Sequence, residues 1–259
     1  GNGMLLSKAT KLVAAFDHRH IFLDPDPDPA ASWKERKRMF DLPRSSWMDY
    51  DAKLISAGGG VFDRAAKSVA ISPEIKKLLE IKEDQLSPVD LMRAILKAPA
   101  ELLYLGGIGT YVRAPNESDA EVGDKANDAI RLIASELRVK VIGEGANLGV
   151  TQAGRIAFAR GGGKINTDAI DNSAGVDTSD HEVNIKILTG VLERAGKMER
   201  PARNKLLASM TDEVAHHVLQ HNYDQTLALS LQEQTAVEQL HAQGQFMTTL
   251  AEAGRLNRK

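Results

Sequence analysis

Apolar positions in this chain change period several times, and each change marks an element. From Met4 to Phe16, the residues Leu5, Leu6, Ala9, Leu12, Val13 and Phe16 recur at three- and four-residue spacing, which predicts an amphipathic helix with Gly1 and Gly3 directly ahead of it. His20 to Leu23 is a strand-sized apolar run that DPDPDP ends, because proline withholds the backbone donor that a strand needs. Ser72 with Pro73, and Ser87 with Pro88, each join a capping hydroxyl to a proline in the first turn. They predict helices from about Pro73 to Ile81 and Pro88 to Lys97, with Pro99 closing the second.

Beyond Pro99 the pattern alternates. A strand over Glu101 to Leu105 leads into the turn GGIGT, a helix near Glu121 to Leu137, a strand over Arg138 to Ile142, the turn GEGANLG and a helix over Thr151 to Arg160. A further apolar stretch, Ile165 to Ile170, follows GGG and leads to DNSAGV. Strands alternating with helices, each strand ending in glycine, indicate an α/β fold with a parallel sheet covered on both faces and ligands at the carboxyl ends of its strands. After Ser179 glycine and β-branched runs thin out, and Glu182 to Arg255 keeps helical periodicity almost throughout. The expected organisation is a first domain over residues 1–185 and a helical C-terminal region over 186–259. The chain opens on a glycine turn with no strand before it and stops within a helical pattern, so both ends read as cuts in a longer polypeptide.

Composition narrows the classes. With 259 residues, 42% hydrophobic and 26% charged, the chain can bury one large core or two. A net charge of -2 supplies no basic field for nucleic acid, and no apolar run approaches the roughly 20 residues that span a bilayer. No secretory signal precedes the first element, and the expected location is cytoplasmic. Zero cysteines exclude a disulfide framework, a thiolate metal site and a cysteine nucleophile together.

Glycines ahead of a helix let backbone N–H groups approach a phosphate, and GNGM at Gly1 and Gly3 has that form. Asp24 lies 21 residues beyond Gly3 at the end of the next apolar run, where a dinucleotide site places the carboxylate that accepts from ribose hydroxyls. The alternative is that Asp24, Asp26 and Asp28 form a solvated acidic loop. As a site, the three carboxylates would repel a 2'-phosphate and favour NAD over NADP. GEGANLG, Gly143 to Gly149, reads either as the phosphate loop itself or as the nicotinamide end of the cleft. Asn147 favours the latter, since its amide could bond a ribose hydroxyl or a carboxamide, and Asn172 in DNSAGV offers a second amide just after a strand. Both asparagines could instead only cap turns. His217 and His221 share a helix face, but no nearby acid or third ligand completes a metal site, so none is expected. The run Lys34 to Arg38 reads as a solvated face. With no nucleophile or paired-carboxylate arrangement in view, chemistry has to come from a cofactor.

VIGEGANLGVTQAGRIAFA followed by TDAIDNSAGVDTSDHEVNIKI resembles the EGAN and N-A-G-G-V segments of the glutamate dehydrogenase superfamily, and most of all its large bacterial NAD-dependent members. GNGMLLS, HIFLDPDPD, SAGGGVFDR, LLYLGGIGTYV and DKANDAIRL are similar in the same order, over roughly residues 1 to 226. The resemblance implies a Rossmann-like doubly wound, mostly parallel sheet, with its first strand missing from this chain, followed by the helical region. It implies that Gly1 and Gly3 belong to the pyrophosphate loop, Asp24 contacts the adenosine ribose, Gly106 and Gly107 pass beneath NAD, and Asn147 and Asn172 hold the nicotinamide ribose and carboxamide. Ser179 takes the place of a serine that binds the distal carboxylate of glutamate, in a DTSDHE context where smaller relatives are more aromatic. The implied reaction is oxidative deamination of L-glutamate to 2-oxoglutarate and ammonia by a homo-oligomeric enzyme. Its acid-base lysine and aspartate lie in a substrate domain upstream, so no residue here is catalytic and the fragment alone is expected to be inactive. Two alternatives are a dehydrogenase of another amino acid, of the Leu, Val or Phe type, and a non-catalytic assembly module.

Overall fold

A computed structural model describes residues 7–258. Gly1 and Gly3 lie outside the described residues, as does the start of the helix expected from Met4. The remainder of that stretch is not a helix: a turn at Lys8 and Ala9 leads to strand β1, Ala14–Phe16. Neighbouring residues of β1 face different cores. Ala14 and Phe16 pack with Ile21 and Leu23, whereas Ala15 packs with Phe22, Met39 and Tyr50. A strand covered on both faces is apolar at consecutive positions, and that produced the misleading helical spacing.

β1 pairs antiparallel with β2, His20–Leu23, which is fully buried. Asp28 then caps helix α1, Pro29–Asp41, accepting from the Ala31 N–H at 2.7 Å. β3, Gly60–Asp63, returns antiparallel to β2, giving the order β1-β2-β3. The charged run Lys34 to Arg38 lies on α1 and is not simply solvated. Glu35 is buried and takes both a fork from Arg38 and the Asp51 N–H, while Arg36 is fully buried with Nε on the Ser32 carbonyl and Nη2 on those of Ser7 and Thr10.

Strand β4, Val69–Ala70, helix α2, Pro73–Leu79, strand β5, Gln85–Leu86, and helix α3, Pro88–Leu96, follow. Ser72 and Ser87 cap α2 and α3 as expected, each accepting from the N–H three residues on at 3.1 Å. α2 stops before Glu80, which adopts left-handed φ. Ile75, Leu79, Leu91 and Met92 from the two helices join Ile21 and Leu23 in the largest core.

The second sheet is parallel. It uses β6, Leu102–Leu105, then, after β7, Val112–Arg113, helix α4, Asp119–Val122, and β8, Leu132–Ile133, the central strand β9, Val141–Glu144. Helix α5, Gln152–Arg160, leads to β10, Lys164–Ile165, and the order is β10-β9-β6. β7 and β8 pair parallel beside it. The helix expected over Glu121 to Leu137 does not form: α4 ends at Gly123, with φ +76°, because Asp119 and Asp128 turn back onto the buried Arg131 at 3.0 and 2.6 Å. Ile165 to Ile170 also breaks, into β10 and helix α6, Asp168–Asp171, so Asn172 follows a helix and not a strand.

The chain divides into two compact units, Gly1–Asn172 and Ser173–Lys259. The second holds α7, Ser173–Arg194, α8, Arg200–Ser209, and the 42-residue α9, Thr211–Glu252. Position 185, where the sequence pattern drew the division, falls inside α7. Among the described residues no helix is long and apolar enough to cross a membrane.

In the GGG turn at residues 58–60, Gly58 takes left-handed φ, +79°, and Gly59 is hemmed in by backbone. A Cβ at Gly59 would stand 2.5 Å from the Leu23 carbonyl oxygen and 2.6 Å from Ile55 Cγ2. Gly59→Ala should therefore lower stability by about 1–3 kcal/mol. An unshifted thermal midpoint for that variant would contradict the packing described.

Candidate functional site

Two glycine turns meet at the carboxyl ends of β6 and β9. The first, Gly106 to Thr110, leaves β6, with Gly107 exposed and nothing within 4 Å of the position a Cβ would take. The second, Gly145 to Gly149, leaves β9. Their backbones are laced together: Ala146 N–H donates to Leu105 at 3.0 Å, Tyr111 N–H to Gly149 at 2.8 Å, and the Thr110 hydroxyl to the Leu148 carbonyl at 2.7 Å. At Gly145 a Cβ would fall 1.9 Å from the Tyr104 hydroxyl, so a larger residue there would displace that exposed ring. Leu148 is held in left-handed φ, +59°.

A buried ion pair fixes the second turn. Glu144, the last residue of β9 and fully buried, receives Arg155 Nε at 2.7 Å and Nη2 at 2.9 Å from α5, and its Oε1 also accepts the Val150 N–H at 3.0 Å. Burial pulls the Arg155 pKa down, but the bonds and charge of Glu144, with Asp168 and Asp171 nearby, hold it above its ordinary value. Asp168 reaches Arg155 Nη2 at 3.1 Å and accepts the Leu148 N–H at 2.8 Å, while Asp171 accepts the Glu144 N–H at 2.9 Å. Helix α6 is thereby held against the turn. Asn172, at the C-cap of α6, then donates Nδ2 to Asn147 Oδ1 at 2.8 Å.

The structure thus brings Gly106, Gly107, Asn147 and Asn172 to one end of the parallel sheet. Asp24 directly follows β2 of the antiparallel sheet and is fully buried. Its Oδ1 accepts from the Ser56 hydroxyl at 2.5 Å and the Ser56 N–H at 3.1 Å, and Oδ2 has no partner. The three early aspartates are therefore no common solvated loop: Asp24 is buried and pins the Ser56 turn, while Asp28 caps α1 and Asp26 stands 3.9 Å from Lys11, both exposed. Ser179 is exposed on α7, in the second unit.

Sequence patterns did not single out Glu144, Arg155, Asp168 or Asp171. The available signal was a carboxylate inside EGAN, on a strand otherwise buried, with an arginine in the next helix. Arg36 and Tyr50 were missed as well. Each keeps one buried polar atom without a partner, as Asp24 does, and burial raises the Tyr50 hydroxyl's pKa with Asp24 adding to the effect.

The class so defined is an α/β protein with two paired asparagine amides at the carboxyl end of a parallel sheet. The chain belongs to the family described as bacterial NAD-glutamate dehydrogenase, catalytic domain, which matches residues 1–232. It is 56% identical to the NAD-specific glutamate dehydrogenase of Pseudomonas aeruginosa over 258 residues, which is 100% of this chain and 16% of that protein. It is 60% identical to that of Mycobacterium tuberculosis over 231 residues, 87% of this chain and 14% of that protein. The counterpart from Halomonas elongata is 54% identical over 259 residues, again 16% of its length. The chain therefore spans a small part of these relatives.

Two predictions follow from the lacing of the turns. Removing Arg155 alone leaves Glu144 buried and unpaired, a cost of about 3–5 kcal/mol, whereas replacing both partners by apolar residues of similar size is far milder. Chemical denaturation of Arg155→Met and of the Glu144→Met/Arg155→Met double variant checks this, and equal losses would refute it. Acid should also loosen the first turn. Asp124 accepts the Thr110 N–H and the Asn127 amide, and Asp119 accepts from Arg131 and Arg113, so both carboxyls sit below the ordinary aspartate range. Their stabilisation is complete above the unfolded-chain pKa of about 4 and is lost as pH falls through the lower folded values. The thermal midpoint should fall over that window, with a shallower fall in Asp119→Asn. An equally steep fall in that variant would count against the assignment.

Proposed function

We propose that this chain is the cofactor-binding part of an NAD-dependent glutamate dehydrogenase, folded as a Rossmann-like domain over about residues 1–185 and followed by a helical region. The observation that carries this reading is the Asn172–Asn147 bond. It occupies one polar atom of each amide and leaves Asn147 its Nδ2 donor and Asn172 its Oδ1 acceptor, one of each kind that a carboxamide pairs with. The unpartnered Oδ2 of Asp24 is an acceptor of the kind a ribose hydroxyl satisfies. Asp24 is fully covered, so a hydroxyl reaches it only if covering side chains shift. Family membership and the relatives' names support NAD and glutamate as cofactor and substrate.

Bound here, NAD would accept hydride from the α-carbon of L-glutamate, and hydrolysis of the resulting iminium yields 2-oxoglutarate and ammonium. The part played by this chain is positional. Gly107 leaves room for close backbone approach, Asn147 and Asn172 orient the carboxamide end, and the Glu144–Arg155 pair keeps that turn from yielding. Ser179 is proposed to bind the distal carboxylate of glutamate. No residue of this chain is assigned the acid-base steps.

Fluorescence titration of the intact protein with NADH tests the reading. Loss of one neutral hydrogen bond in Asn147→Ala should weaken binding by about 3–10-fold, and loss of the charged acceptor in Asp24→Asn by about 10-fold or more. Unchanged affinity in both variants would overturn the site. The 259-residue chain by itself should show no glutamate oxidation, and turnover by the pure chain would contradict its assignment as a cofactor-binding part alone.

A further inference from the structure

Within the second unit, α7 and α9 each present two polar groups four residues apart, the spacing that puts both on one helix face. On α7 these are Asp177 and His181, and on α9 they are His217 and His221. The helices pack so that the groups meet. Asp177 Oδ2 lies 2.6 Å from His221 Nδ1, Asp177 Oδ1 lies 3.5 Å from His181 Nε2, and one donor atom from each of the three residues falls within 4.8 Å of the other two. The His181 and His221 rings stack with centroids 6.0 Å apart, and the His217 ring stands 6.4 Å from each of them. The expectation that His217 and His221 lack an acid or third ligand is thus corrected. Asp177 and His181 supply both from the preceding helix α7, beyond the reach of a local pattern.

We propose that Asp177, His181 and His221 bind a divalent transition cation of the zinc type. Two imidazole nitrogens and one carboxylate oxygen are a donor set that zinc accepts, leaving a fourth position for water or for His217. Bonds near 2.0–2.2 Å place tetrahedral ligands about 3.4 Å apart, so closing the present 4.8 Å limit needs only side-chain rotation. The side chains are 24%, 33% and 48% exposed for Asp177, His181 and His221, which gives an ion a way in and the rings freedom to turn. The single carboxylate charge opposes the cation's two, and His221 offers Nδ1 to a metal when its ring carries its proton on Nε2. One turn away, the Asn222 amide donates to the Ser173 hydroxyl and holds the same two helices in register. The role is a clasp between α7 and α9, independent of the cofactor reading.

The test is zinc binding by the intact protein, measured by competition with a chromophoric chelator, alongside His221→Gln and Asp177→Asn. The site predicts one zinc per chain that both substitutions weaken by about 10-fold or more. Cobalt(II) serves as a second probe on the unaltered protein, where a four-coordinate site gives intense visible d–d absorption that zinc displaces. Circular dichroism establishes whether the variants remain helical. Zinc affinity unchanged in two folded variants, or the absence of both stoichiometric zinc and the cobalt band, would overturn the proposal.

Discussion

The Glu144–Arg155 ion pair is the constraint on which the rest of the site depends. A carboxylate with no exposed surface is strongly unfavourable in a protein interior unless its lone pairs are taken up. Here a guanidinium fork and the Val150 N–H take them up. Satisfying that one group fixes three things at once: where β9 ends, how the turn closes into α5, and where Asp168 can place α6. Asn147 and Asn172 approach each other as a consequence. The two amides are thus positioned by charges that do not touch them.

What was legible in the sequence follows from how local the determinants are. Ser72, Ser87 and their prolines act within one turn, and the helices they cap appeared where expected. The β9–turn–α5 unit was readable for the same reason, and with it the placement of two glycine turns at strand ends. The failures have a shared cause, which is distance along the chain. Residues 14–16 are apolar because two separate cores cover them. Residues 119–131 fold around Arg131 because three aspartates converge on it, which no periodicity records. Glu35 and Arg36 looked like solvated charges until partners from residues 7, 10 and 51 covered them.

The chain also separates its chemistry between two units. The first gathers backbone turns and amides suited to a neutral or anionic organic ligand, whereas the second gathers imidazoles and a carboxylate suited to a cation. Family membership carries the first assignment further than geometry alone would, over a segment that is 14–16% of the length of its relatives. The second assignment rests on side-chain positions alone.

The central claim is that the buried pair holds the two glycine turns as a single ligand-binding edge. Hydrogen–deuterium exchange on the intact protein, with and without NAD, reads this most directly. The account predicts that NAD slows amide exchange in residues 106–112 and 145–150 together, and that Arg155→Met abolishes the effect in both. Protection confined to one turn, or preserved in both turns of that variant, would contradict it.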